Sequence, residues 1–517
     1  VLPLFVVASL VLTLPLGSRF FSSIPSSHAL FDPGLQAFII GWDWHAITQD
    51  PFHIFDAPIF HPEQRTLTYM DHLIGETVAA APILWLTKSV AGAYNLLVIL
   101  SFVASAWATY RLTRLLGVSR SGAWLCGFLF AFSPYRYANL DILNQLQTQF
   151  LPLGLFFAIR YLQRWRLRDA VGIAVTMVAQ ISFGWYYTYY LGLALVLLLL
   201  YAIIGGTWRG PRRHIGPLAL TAAGALLAIL PVVWPYGLQR MAMPEFSRTL
   251  GEAALYSADL LDYLRWNSSS VLTEFLPFPT GAQSYWPGLV AVALASVGTA
   301  ALLGRRLAGG PPDVKASGGV RKLPSRLTRV VQNLGVEGYF IVLALTAFIL
   351  SLGPILQVGG HRIWIPLPYS LVHYIVPGFS GMRAPARIAS VTLLAVVILA
   401  GIGYRHLQGR WGYRDIRVWR GVISILFVSA VLLVWPRPMS LLNLPTARSM
   451  PEVYRWLAAL PDDPPLLEIP VPARDEDENE DHALRQYLIL FHGKPRIGGI
   501  SAFISRRYRE FRSEIQE

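Results

Sequence analysis

The sequence predicts an all-α polytopic membrane protein of about eleven transmembrane helices, with interfacial helices in a long first outer loop and a small α/β outer domain at the C-terminal end. Three observations carry that prediction. Of 517 residues, 54% are hydrophobic and 14% charged, against about 25% charged in a soluble domain; the mean hydropathy is +0.46. The apolar residues form runs approaching the roughly 20 residues of a membrane helix. The basic residues gather in short clusters between those runs, the pattern of the positive-inside rule. That pattern also removes nucleic acid as the reason for the net charge of +13. The chain opens with Val1 and stops at "RSEIQE", and so reads as a fragment lacking a cytoplasmic lead-in and part of a tail.

The apolar runs fall near residues 2–17, 92–110, 119–135, 146–163, 169–183, 185–206, 215–234, 286–304, 336–353, 388–404 and 418–435. Basic clusters follow alternate runs: Arg111, Arg114 and Arg120; Arg160, Arg164, Arg166 and Arg168; Arg209, Arg212 and Arg213; seven residues from Arg305 to Arg329; and five from Arg405 to Arg420. If all face the cytoplasm, residues 18–91 form one outer loop, and 235–285, 354–387 and everything after about 436 also lie outside. This requires "HLIGETVAAAPILWLTK", residues 72–88, to lie in the interface rather than span. Residues 1–436 are thus the membrane domain, with 305–335 a Gly/Pro-rich cytoplasmic linker. Residues 437–517 read as part of a small outer domain, with "MPEVYRWLAAL" an amphipathic helix, "PLLEIPV" a strand and "ARDEDENEDHA" a solvated acidic loop. The one cysteine, Cys126, excludes an internal disulfide and a cysteine-based metal site.

The first outer loop carries the most chemistry. In "FDPGLQAFIIGWDWHAITQD" Leu35, Phe38, Ile39 and Trp42 share one helical stripe, which predicts a helix lying on the membrane surface with Asp43 off the stripe, toward water or a cavity. Asp32 precedes Pro33 as an N-cap would; an ionised Asp at the bilayer face is equally what a general base needs. Asp71, in "TYMDHL", is a second acid able to return to the same cavity. Five of the 11 histidines lie in this loop with several acids. A divalent metal could use such ligands, but that is a weak reading, since no close-spaced ligand signature accompanies them, and the sequence establishes no other cofactor.

Arginine is sparse on the outer side. In "PGFSGMRAPARIAS" Arg383 and Arg387 stand four apart at the end of a span, suited either to a phosphate or to snorkelling toward headgroups. In "SPYRYANLDILNQLQTQF" Arg136, Tyr137, Asn139, Asp141, Asn144 and Gln145 suit a sugar or a hydrated vestibule. "LGEAALYSADLLDYLRW" adds Glu252, Asp259, Asp262 and Arg265 to that side.

"FDPGLQAFIIGWDWHAI", "FDAPIFHPEQRTLTYMDHLIGE", "LFAFSPYRYANLDILNQLQTQFLPLGL", "YSADLLDYL" and "VPGFSGMRAPAR" run in that order from about residue 29 to 390. Together they resemble the GT-C superfamily of integral-membrane glycosyltransferases, and more narrowly a bacterial branch of glycosyltransferase-like membrane proteins. The resemblance implies a multi-pass protein of the bacterial inner membrane, with its active site on the periplasmic face. It implies a polyprenyl-phosphate sugar donor, contact with membrane lipids, and a glycan, lipid or protein acceptor. Many relatives carry paired acids after the first span; here Asp32-Pro33 keeps only the first, which leaves the second role to Asp43 or Asp71. Arg383 or Arg387 would hold the donor phosphate. Trp42, His45, Tyr69, His72, Arg136, Tyr137 and Asn144 are the candidate substrate-binding residues. The rival readings are a transporter or flippase, which would need ionisable groups deep inside spans, and a non-catalytic relative in envelope assembly.

Overall fold

A computed structural model describes the chain apart from residues 27–30, 207–214, 244–245, 268–269, 272–274, 276–279, 282–283, 309–325, 412–415, 470, 472–479 and 517. In chain order, α1 (Leu2–Leu12) leads into the first loop, with β1 (Ser23–Pro25), α2 (Phe31–Gln49) and α3 (Ile74–Thr87). Then come α4 (Val90–Leu115), α5 (Arg120–Ala131), α6 (Pro134–Tyr137), α7 (Leu143–Leu146), α8 (Phe150–Arg164), α9 (Leu167–Ser182), α10 (Trp185–Ile204) and α11 (Ile215–Ala242). The remainder is α12 (Leu250–Leu255), β2 (Trp266–Asn267), β3 (Thr280–Gly281), α13 (Leu289–Ala308), α14 (Arg326–Ser351), β4 (Ile355–Val358), β5 (His361–Pro366), α15 (Tyr369–Ile375), α16 (Ala389–Trp411), α17 (Ile416–Val434), β6 (Leu441–Asn443), α18 (Glu452–Ala459), α19 (Glu480–His492) and α20 (Arg506–Gln516).

Every one of the apolar runs is helical. Among the described residues six helices are long and apolar enough to cross a membrane: α4, α10, α11, α14, α16 and α17. The others are shorter; α5, α8 and α9 have 12, 15 and 16 residues. The 14 residues of α3 reach about 21 Å, less than the roughly 30 Å of a hydrocarbon core, in keeping with an interfacial role. Of the linker expected over 305–335, residues 309–325 lie outside the described residues. Helix already begins at Arg326 and bends at Gly335, whose φ of 59° lies where a glycine rests without strain.

The bundle is built around α16. Almost its whole length is buried because glycines admit the neighbouring backbone: a Cβ on Gly403 would strike the Leu294 carbonyl of α13, and one on Gly298 the Leu399 carbonyl of α16. Such small-residue contacts give helices close van der Waals packing where lipid offers no hydrophobic gain. By contrast α11 leaves most of its apolar side chains uncovered. At one end Arg405, of the last basic cluster, bonds the Leu116 carbonyl and pairs with Glu337 at 2.6 Å. The first loop, residues 133–149 and the Arg383 segment meet at the other.

The C-terminal residues are knitted into that second end rather than forming a sheet of their own. β6 pairs antiparallel with β1 of the first loop, Ser23 opposite Asn443. α19 packs on α2, where Gly41 gives way to Leu490. The Arg496 amide donates to Pro58 O, and the Phe503 amide to Tyr69 O. The amphipathic helix expected at 450–460 is α18. The strand expected in "PLLEIPV" reduces to one parallel bridge, Leu466 with Arg496, and most of the acidic loop lies outside the described residues.

Candidate active site

The site forms where three segments converge. The first is α2, which starts at Phe31, so Asp32 sits inside its first turn instead of capping it. There the helix dipole favours a carboxylate. The second is the loop between Tyr69 and α3. Tyr236 of α11 clamps it: its hydroxyl donates to Met70 O at 2.8 Å and accepts from the His72 amide at 3.1 Å, fixing the backbone on both sides of Asp71. The third is the polar stretch after α6. The Leu143 amide donates to Gln36 Oε1 of α2 at 2.6 Å, the Tyr94 hydroxyl to Asp141 O at 3.3 Å and the Tyr187 hydroxyl to Gln145 O at 2.7 Å. These bonds hold Asp141, Asn144 and Gln145 against the first loop.

Between the segments lies a narrow cleft bordered by Asp71, Asn144, Gln145, Trp185, Tyr186, Tyr187 and Arg387. Asn144 Nδ2 donates to Asp71 Oδ2 at 2.9 Å. Arg387, in the turn that leads into α16, lies over the Tyr186 ring at 4.4 Å. With the Gln145 amide turned to satisfy both of its ends, its oxygen accepts from Arg387 Nη2 at 2.9 Å and Nε at 3.0 Å. Burial pushes the Asp32 carboxyl up from its ordinary value; Arg387 pulls it back, the Asp141 charge raises it, and Arg383 lowers it. Burial likewise raises Asp71, against Arg387 and the Asn144 hydrogen bond. One guanidinium thus serves two carboxyls. Arg383 stands nearer solvent, over the Tyr256 ring at 4.1 Å and 3.4 Å from Glu252 Oε1, with its amide donating to the Tyr186 hydroxyl at 3.0 Å.

Several sequence-predicted residues lie elsewhere. Asp43 does not face water or the cleft. α2 is enclosed by α3, α4 and α19, so its buried face runs through Gln36, Ala37, Ile40 and Asp43, and the single membrane-facing stripe expected from Leu35, Phe38, Ile39 and Trp42 is not what orients it. Both Asp43 oxygens are buried, and burial holds the carboxyl well above its ordinary value, against the Leu73 amide that lowers it. An acid enclosed in this way is unsuited to meet an acceptor. Glu76 beside it is raised in the same way, by burial and by Asp43 and Asp71. His72 lies between Trp185 and Tyr236, and burial lowers it to about 4.

Trp42 spends its indole N–H on Ile54 O at 2.8 Å, while His45 is exposed on the side of α2. Tyr69 is fully buried with its hydroxyl on Glu63. Arg136 is buried between helices, donating to Ser101 Oγ at 2.7 Å and Thr148 Oγ1 at 2.9 Å above the Phe102 ring. Tyr137 bonds Leu12 O at 3.3 Å. Arg136 and Tyr137 therefore hold the bundle together. Of the candidate substrate-binding residues only Asn144 borders the cleft. Missing from the sequence-derived set were Tyr236 and the aromatic lining; the run "FGWYYTYY" at the start of α10 was the signal for the lining. Among the described residues no three His, Cys, Asp or Glu side chains are grouped to hold a metal ion.

No family model and no curated protein matches the chain. Solved structures do. A cryo-EM structure of the arabinofuranosyltransferase AftD from Mycobacteria superposes with a TM-score of 0.53 at 16% identity, over 96% of this chain and 33% of that one. The oligosaccharyltransferase AglB from Archaeoglobus fulgidus, in complex with an inhibitory peptide and a dolichol-phosphate, gives 0.47 at 13% identity, over 99% of this chain and 68% of that one. The chain spans about one third of the length of AftD. With its apolar helices, it is a multi-pass membrane protein with the GT-C fold, the fold that its motifs resemble.

Proposed function

We propose that the protein is a membrane glycosyltransferase of the bacterial inner membrane. It moves a sugar from a polyprenyl-phosphate-linked donor to an envelope glycan, lipid or protein acceptor at the periplasmic face. One observation carries this reading: Asp71 borders the cleft with Asn144 and Arg387, and the Arg387 charge also pulls down the carboxyl of Asp32. That is an arrangement for a base and a leaving phosphate side by side. Asp32 takes the proton of an acceptor hydroxyl as the acceptor oxygen attacks the anomeric carbon. The bond from that carbon to the phosphate oxygen breaks, and the phosphate departs with the electron pair. Arg387, with Arg383 at the mouth, balances its charge through charge-assisted hydrogen bonds. Asp71 and Asn144 orient the sugar hydroxyls, and the aromatic wall of Trp185, Tyr186 and Tyr187 excludes water from the reacting centre. A raised Asp pKa suits a general base, whose efficiency peaks when its pKa approaches the working pH.

The test compares envelope glycans and lipid-linked sugars by mass spectrometry in wild-type, deletion and Asp32→Asn cells. The expected result is that Asp32→Asn matches the deletion, with one sugar missing and its polyprenyl donor accumulating. An Asp32→Asn strain identical to wild type, beside an altered deletion strain, would remove Asp32 as base and favour transport or scaffolding.

A further inference from the structure

Between α14 and α16 the chain builds a hairpin and a short helix that the proposed chemistry does not use. β4 and β5 pair antiparallel, Val358 opposite His361, around Gly359 and Gly360, with φ of 62° and 83°. Two successive left-handed residues make the tight turn that matches strand twist, and only glycine adopts them at no cost. Asp259 pins this turn: its carboxylate accepts from the Gly360 amide at 2.7 Å and the Gly359 amide at 3.0 Å. The hairpin is therefore a held element.

A half-buried strand hides every second side chain. β5 hides none: Ile363, Trp364 and Ile365 are consecutive and all exposed, Trp364 by 80%. α15 continues the bare surface. Tyr369 and His373 are buried on one side, while Leu371, Tyr374 and Ile375 are exposed on the other. α15 packs against α14, whose own exposed residues Val342, Leu345 and Ile349 recur at helical spacing. The polar margin of the bare surface carries His361 and Arg362 at the turn.

We propose that β5 and α15 are seated in the outer leaflet of the bilayer, as an interfacial wedge with Trp364 and Tyr374 at headgroup depth. The packing of α15 on α14, a helix long and apolar enough to cross a membrane, names the occupant. Tryptophan and tyrosine prefer the interface because one end is apolar and the other polar, and arginine reaches from there to headgroups. The wedge also bears on the cleft. α15 leads to Phe379, which packs edge-on against Tyr189, whose hydroxyl bonds Pro377 O at 3.1 Å; Arg383 follows four residues later. Fixing this segment in the leaflet sets the height of Arg383 relative to the headgroups.

The test places a nitroxide label at Trp364→Cys, Leu371→Cys, Ile375→Cys and, as a water-exposed reference, Asp462→Cys, in the full chain in lipid nanodiscs. The native Cys126 is buried, and the unsubstituted protein measures its background labelling. Collision with oxygen, which partitions into lipid, is compared with collision with a water-soluble nickel chelate. The expected result is an oxygen-to-nickel ratio several-fold higher at all three wedge positions than at Asp462→Cys. A ratio equal to the reference would place the wedge in water and overturn the proposal. So would low accessibility to both reagents, or spin–spin broadening that disappears on dilution with unlabelled protein, since these put a protein partner or a second copy there.

Discussion

Removing Arg387 tests whether its guanidinium is the shared counter-ion of a leaving phosphate and a base. In the resting cleft two of its N–H groups already serve Gln145, at 2.9 and 3.0 Å, so an arriving phosphate draws on the donors that remain. One hydrogen bond to a charged group contributes about 1.5–3 kcal/mol, so Arg387→Gln should weaken binding of a polyprenyl phosphate about 10- to 100-fold. The same substitution removes the charge that lowers Asp32 and Asp71. Both carboxyls then rise further, and because a general base works deprotonated, the acid limb of the pH–rate profile moves to higher pH. Arg387→Lys keeps the charge but loses the planar fork; its affinity should fall while the acid limb stays nearer its wild-type position. The measurements are polyprenyl-phosphate titration of the protein in nanodiscs, and sugar transfer by membranes across the acid-to-neutral range. Wild-type affinity in Arg387→Gln together with an unmoved acid limb would refute the assignment.

Three other substitutions separate the site from its frame. Asp43→Asn should melt at or above the wild-type temperature at neutral pH. A carboxyl raised on folding binds more protons in the folded state, so its contribution is complete below the unfolded value near about 3.9 and is lost as pH rises through the folded one. The difference between variant and wild type should close on acidification, and a variant less stable at neutral pH would mean that Asp43 is ionised and paired. Arg136→Ala leaves Ser101 and Thr148 without their buried donor and should cost about 2–4 kcal/mol of stability with polyprenyl-phosphate affinity unchanged; a selective loss of affinity would return Arg136 to the site. Tyr236→Phe removes both bonds that clamp the Asp71 loop, about 1 kcal/mol each, and should slow transfer about tenfold without shifting the acid limb. A wild-type rate would show that the clamp does not position Asp71.

How much of this was legible in the sequence depended on distance along the chain. Helices are set by short-range periodicity, so each of the apolar runs is a helix. The charge clusters are local too, and among the described residues Arg405 of the last cluster meets Glu337 and the Leu116 carbonyl, while Asp71 and Asn144 meet in the cleft. Number of crossings was less legible, because α5, α8 and α9 are apolar yet short, and apolar content alone does not distinguish a helix that crosses from one buried within the bundle.

The choice among Asp32, Asp43 and Asp71 was beyond local reading. On the helical wheel of α2 alone, Asp43 lies off the apolar stripe and so reads as solvent-facing. What buries it comes from far away in sequence: α19 closes over Gly41 through Leu490, and α3 and α4 close the other sides. Asp71, which sits in no periodic element, reads as an ordinary loop acid. It reaches the cleft because a tyrosine 165 residues further on grips the backbone around it (Tyr236 against Asp71). The polarity of "ANLDILNQLQTQ" was visible, but which of its side chains turn inward was decided by Gln36 and Tyr187 accepting or donating to its backbone. The setting of each carboxyl here therefore follows from which distant element covers it: burial holds Asp43 well above its ordinary value, while Asp32 and Asp71, also raised by burial, have the Arg387 charge to draw them back.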